Sequence, residues 1–184
     1  MRNKTLWITQ TAAMLALLIA LQWATSYIPK PVGQFVTGSL VNAVLGITVL
    51  AAGIASGVTV AVLSPIFAFL LNIATNAVTV PAIMVGNVLF VLVLKLVCGD
   101  GKVLWRRAGA LLAAAVIKFA TLYALVVWVI CGLAADALLA QGLLKKPMLS
   151  VLPASFSLPQ LVTALIGGAI ALVIAPRIRR ALHK

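Results

Sequence analysis

The sequence predicts an all-α, polytopic membrane protein: a bundle of six transmembrane helices with both termini on the cytoplasmic side. Three observations predict it. The 184 residues are 64% hydrophobic with a mean hydropathy of +1.23, and a soluble domain of that composition would expose a large apolar surface to water. The apolar residues come in runs, several of them near the length a helix needs to cross a hydrocarbon core of about 30 Å. The basic residues stand at the ends of those runs, with Lys118 as the exception. Short basic clusters flanking apolar runs are the pattern of membrane orientation. Nucleic-acid binding, which a net charge of +12 could suggest, is disfavoured by that distribution. The whole chain, 1–184, reads as one integral membrane domain.

The first span, 6–27, follows Arg2 and Lys4 as the apolar core of a signal peptide would. It is longer than such a core and further spans follow, so it reads as a retained helix. The next two spans, 40–53 and 58–71, are short, and only 53–57 separates them, without a charge. One helix across both would be about 48 Å long at 1.5 Å per residue, far beyond the hydrocarbon core. Gly53, Gly57 and Pro65 also favour a break or kink. Spans at 80–97, 108–135 and 158–174 complete the set, with a long segment, 136–157, between the last two. Arg2, Lys4, Lys95, Lys102, Arg106, Arg107, Arg177, Arg179, Arg180 and Lys184 then collect on one side, against Lys30, Lys145 and Lys146 on the other. The positive-inside rule places the richer side, with both termini, in the cytoplasm.

Proton chemistry has little to work with. The acids are Asp100 and Asp136 and the one histidine is His183, none of them deep in an apolar run. A proton-coupled carrier normally holds a carboxylate or histidine inside the bilayer, and most enzymes need such groups to move protons. No nucleophile–base pair, no metal cluster and no Gly-x-x-x-x-Gly-Lys-Ser/Thr phosphate loop occurs. His183 reads as a solvated end residue, and Cys98 and Cys131 as buried apolar side chains near opposite faces. The chain is expected to be no enzyme, to hold no cofactor or metal of its own, and to draw energy from elsewhere.

The polar residues gather toward one face. Gln22, Trp23 and Ser26 end span one; Gln34, Thr37 and Ser39 fall in the first external loop; Asn42 opens span two. Asn72, Thr75, Asn76 and Thr79 follow span three, Asn87 lies in span four, Tyr123 and Trp128 in the outer part of span five, and Gln160 and Thr163 open span six. Polar groups in hydrocarbon are costly and turn to the bundle interior or a cavity. The gathering suits a small-molecule pocket, apolar and aromatic with a few neutral donors and acceptors. The candidate binding residues are Lys118, Asn87, Asn42, Asn76, Gln34, Trp128, Tyr123 and Gln160. Each amide also has a simpler reading as an interhelical hydrogen bond, and each aromatic as part of an interface belt. Lys118 lies some ten residues into span five, out of snorkelling reach. Either interior amides such as Asn87 or Asn42 satisfy it, or it awaits an anionic or carbonyl-bearing ligand. Ala12, Ala16 and Ala20 recur every four residues in span one, a flat ridge that serves either an internal seam or a docking helix.

Several of these features coincide in a known family. Ala12-x-x-x-Ala16 near the cytoplasm, Gly38-Ser-Leu-Val-Asn42-Ala-Val-Leu leading to Gly53-Ile-Ala-Ser-Gly57, and Leu63-Ser-Pro65-Ile-Phe-Ala-Phe-Leu sit in a small six-span chain with both termini inside. Over essentially its whole length the chain resembles the substrate-binding S-component of energy-coupling factor (ECF) vitamin transporters. The resemblance implies capture of a vitamin or related micronutrient from outside, in a bacterial or archaeal cytoplasmic membrane. It implies a gate at 28–39, and docking through Ala12 and Ala16 onto a transmembrane coupling (T) protein. ATP would be used by two partner ATPase subunits alone, and the chain would topple in the membrane to carry its ligand inward. The segment 136–157 is expected to form part of an external lid. Lys118 favours a carboxylate- or carbonyl-rich ligand such as pantothenate, riboflavin or folate. The alternatives are an autonomous small-solute facilitator (uniporter) and a non-transporting membrane assembly subunit.

Overall fold

The computed structural model describes residues 4–29, 32–73, 76–99 and 103–182, and every regular element among them is helical. Arg2, Lys30, Thr75, Asp100, Lys102, His183 and Lys184 lie outside the described residues. Helix α1 is Lys4–Thr25. Helix α2, Val32–Ile47, continues as a π-helical stretch, Thr48–Ala52. Helix α3 is Ile54–Leu70, and a 3-10 turn, Ala77–Thr79, leads into α4, Val80–Cys98. Helix α5, Leu104–Leu122, also continues in π-helical form, over Tyr123–Leu133. Two short helices follow, α6 at Ala135–Ala140 and α7 at Met148–Ser155, before α8, Leu158–Leu182.

Five helical stretches are long and apolar enough to cross a membrane: Lys4–Thr25, Val32–Ala52, Ala77–Cys98, Leu104–Leu133 and Met148–Ala181. Helix α3 is apolar but shorter. The outward surface fits that reading, since Leu96, Trp105, Leu133 and Val173 are all exposed, as suits side chains that meet lipid. Helix α1 is patterned inside out. Its buried residues are Gln10, Thr11, Leu18, Gln22 and Thr25, mostly polar, while Leu6, Ile8 and Leu17 face outward.

Two of the boundaries that differ from the sequence reading bear on the site. The second span begins at Val32, not at 40, so Gln34, Thr37 and Ser39 are helical. Their polarity reads as loop, but in the fold it serves contacts inside the bundle. The break after that span is confined to Gly53, whose φ of 98° lies in the left-handed region where a side chain is strained. Gly57 is an ordinary helical residue; a Cβ there would press on Val49.

Helices α2 and α8 come closest through small residues. A Cβ on Gly46 would lie 2.6 Å from the Ala171 Cβ, and one on Gly167 would overlap the Ser39 carbonyl oxygen. Such close approach maximises dispersion contact where no hydrophobic force acts between helices. Leu45, Val49, Val60, Phe90, Val91 and Leu94 fill the core between α2, α3 and α4. At one end of the bundle, Arg106 Nε donates to the Val97 carbonyl at 2.9 Å and Arg107 Nη2 donates to the Leu172 carbonyl. These bonds join the end of α4, the start of α5 and the late turns of α8, and Arg177, Arg179 and Arg180 extend α8 further along.

Candidate functional site

At the opposite end, α1 finishes, α2 and α4 begin, α3 reaches its second half and α8 starts. These segments, with Lys118 from α5 and the covering α7, enclose a cavity of about 340 Å³. Its polar wall includes Gln22 and Thr25 from α1, Gln34, Thr37 and Asn42 from α2, Ser64 from α3, Asn87 from α4 and Gln160 from α8. Ile28, Val41, Ile83, Met148, Leu152 and Phe156 supply much of the apolar wall. Pro65, also in the wall, removes one main-chain donor from α3 at this level.

Lys118 is 3% exposed and belongs to the wall. Its Nζ donates to Asn42 Oδ1 at 2.6 Å and to Asn87 Oδ1 at 2.7 Å. It also stands 5.4 Å from the centre of the Phe90 ring, a favourable place for a cation. The two readings of Lys118 are therefore not exclusive: interior amides hold it, and it faces the cavity. Asn42 is anchored in turn, its Nδ2 donating to the Gly38 carbonyl at 2.9 Å. Asn87 Nδ2, Ser64 Oγ and Gln22 Oε1 have no partner among the described residues, although all three side chains are buried. An unpartnered buried polar group costs about 1–3 kcal/mol. Three such groups around one cavity can take their hydrogen bonds from whatever fills it, water or a small molecule.

Helix α7 covers the cavity with Met148, Val151, Leu152 and Ser155. The Ser155 carbonyl oxygen accepts two hydrogen bonds, from Gln34 Nε2 at 2.8 Å and from Gln160 Nε2 at 3.2 Å. The amides of α2 and α8 thus fasten the cover. Gln34→Ala removes the shorter bond, worth about 1 kcal/mol. Stopped-flow displacement of a bound ligand should accordingly show dissociation about fivefold faster, with the association rate little changed.

Of the candidate residues, Lys118, Asn42, Asn87, Gln34 and Gln160 come together at the wall; Asn76, Tyr123 and Trp128 do not. Asn76 has a structural task. Its Oδ1 accepts from the Val78 amide at 2.9 Å, capping the 3-10 turn, and its Nδ2 reaches Met148 Sδ at 3.0 Å. Tyr123 packs between Phe119 and Trp128, with ring centres 5.9 Å and 6.1 Å away. Trp128 is 65% exposed, so this cluster belongs to the outer surface, as an interface belt requires. The π-helical geometry from Tyr123 onward changes the angular step per residue, so an α-helical wheel assigns those side chains to the wrong face. Ser64 and Gln22 were not singled out as binding residues, although each is a polar residue within an apolar run.

The alanine ridge lies outside. Ala12, Ala16 and Ala20 are exposed, whereas Thr11 turns inward and donates to Ser56 Oγ at 2.9 Å. An internal seam is therefore not the ridge's role.

These features define a class: a multi-pass helical membrane protein with a mixed-polarity cavity toward one end. The profile of the family described as "ECF transporter, substrate-specific component" matches residues 10–179. The chain belongs to that family, and is the substrate-specific part of a membrane transporter rather than a member of an enzyme family. No match was found among curated proteins or solved structures.

Proposed function

We propose that this chain captures a vitamin or related micronutrient from outside the cell and delivers it through a transmembrane coupling protein powered by two ATPase subunits. The observation that carries the reading is the cavity with its three unpartnered buried polar atoms beside Lys118. Such a wall offers hydrogen-bonding capacity that a ligand can take up in place of water.

Six crossings fit the helices. At 1.5 Å per residue α3 is about 26 Å long, short of a typical core, and local bilayer thinning accommodates such a mismatch at modest cost. The orientation follows from charge. Lys4, Lys95, Arg106, Arg107, Arg177, Arg179 and Arg180 all lie toward the end away from the cavity. The positive-inside rule makes that end cytoplasmic and turns the cavity outward. The exposed alanine ridge starts in the cytoplasmic half of α1, where a coupling protein would meet it.

The test uses purified protein in detergent. Native mass spectrometry is expected to find a small molecule retained at one per chain, and binding assays with a vitamin panel to find one tight ligand. No retained molecule and no binder from the panel would sink the capture reading. Uptake into proteoliposomes that persists without coupling protein or ATP would point instead to a uniporter.

A further inference from the structure

The chemistry of the cavity wall narrows the ligand. Resting on the capture reading above, we propose that the ligand is a carboxylate with a largely aliphatic body, its carboxylate seated against Lys118 Nζ and Asn87 Nδ2.

Charge balance is the first ground. An ammonium has three donor hydrogens, and two of those on Lys118 reach amide oxygens among the described residues. Amides offer dipoles but no countercharge. The sequence holds two acids. Asp136 is exposed at the start of α6, and no carboxylate stands among the described residues that line the cavity. A cation held this deep is costly until an anion joins it, and with none among the described residues at the cavity a ligand is the group suited to bring one.

Amide orientation is the second. Lys118 can donate only to an oxygen, so its bond fixes Asn87 Oδ1 toward the ammonium and leaves Nδ2 as the free end. Asn87 is 1% exposed and lines the cavity. A fixed cation and a fixed, unpartnered N–H therefore flank one position, and both favour a negatively charged acceptor. Ser64 Oγ and Gln22 Oε1, unpartnered elsewhere in the same wall, suit neutral hydroxyl or amide groups along the body.

The third ground is what surrounds that polar set. Phe156 is the one aromatic side chain among the described lining residues, because the Tyr123–Trp128 cluster lies on the outer surface. A fused-ring ligand normally meets flat aromatic faces, whereas this wall offers isoleucine, valine, leucine and methionine. A volume of about 340 Å³ is also near the small end of the usual ligand-pocket range, roughly 300–1,000 Å³.

Equilibrium binding to the detergent-purified chain tests this with three probes. Pantothenate is an aliphatic carboxylate, pantothenol is the same body ending in an alcohol, and riboflavin is an uncharged fused ring. Pantothenate is expected to bind on the order of tenfold or more tightly than pantothenol, because charge-assisted hydrogen bonds are lost with the carboxylate. Lys118→Met should abolish that preference. Tight binding of riboflavin with none of pantothenate, or equal binding of pantothenate and pantothenol, overturns the proposal while leaving capture intact. Binding of none of the three, with no molecule retained in native mass spectrometry, removes the capture reading and the proposal with it. The comparison on the unmodified chain decides the matter even where Lys118→Met fails to fold.

Discussion

Asn87→Leu is expected to lower the stability of the ligand-free protein by about 2–3 kcal/mol, the range for a hydrogen bond to a charged group whose loss leaves that group buried. Lys118 then keeps a single amide partner, Asn42, in the interior of the bundle. For a chain of this size the loss corresponds to a melting temperature lower by about 5–10 °C. Lys118→Met placed in the same chain should recover more than half of it. With the ammonium gone, no charge is left to satisfy, and a methionine of similar length fits an apolar surrounding. Such recovery is the signature of direct coupling between two residues. An unchanged melting temperature for Asn87→Leu would mean that the ammonium does not depend on it. A double variant as unstable as the single one would trace the loss to packing of α4 against its neighbours.

Ala12→Trp combined with Ala16→Trp is expected to reduce ATP-driven uptake by well over tenfold while changing the affinity for ligand less than twofold. Both alanines are exposed on α1, and neither belongs to the cavity wall. Axes of helices in contact lie about 8–10 Å apart, the smaller spacings depending on small side chains. Two indoles on the ridge hold a docking helix away from it. Uptake is measured in proteoliposomes containing the complete transporter, and affinity on the isolated chain. If ligand binding disappears as well, the ridge has a part in the fold. Normal uptake would place the docking surface elsewhere.

The helical class and the gathering of polar residues toward one end were legible because both depend on bulk hydropathy and on where charges are tolerated. Lys118, Asn42 and Asn87 were legible for a related reason: a strongly polar side chain deep in an apolar run has few places to go. The start of α2 was hidden, since Gln34, Thr37 and Ser39 look like loop residues until the cavity gives them an interior partner. That Tyr123 and Trp128 stand outside the cavity wall was not legible, because depth along an apolar run does not say which face of the helix a side chain takes. The capping role of Asn76 was not legible, because an asparagine that caps a turn and one that holds a ligand have the same sequence signature. Within 136–157, that α7 is the helix lying over the cavity required tertiary structure.

The fastening of α7 has a consequence for how such a subunit can change its choice of cargo. The acceptor shared by Gln34 and Gln160 is the main-chain oxygen of Ser155, and every residue type carries that atom. The clasp is therefore indifferent to the side chains of the cover. Met148, Val151 and Leu152, which line the cavity, can be exchanged to suit a different molecule while the latch keeps both of its bonds. Closure and selectivity are in this way separately adjustable, the one held by the frame of α2 and α8 and the other by the underside of a single short helix.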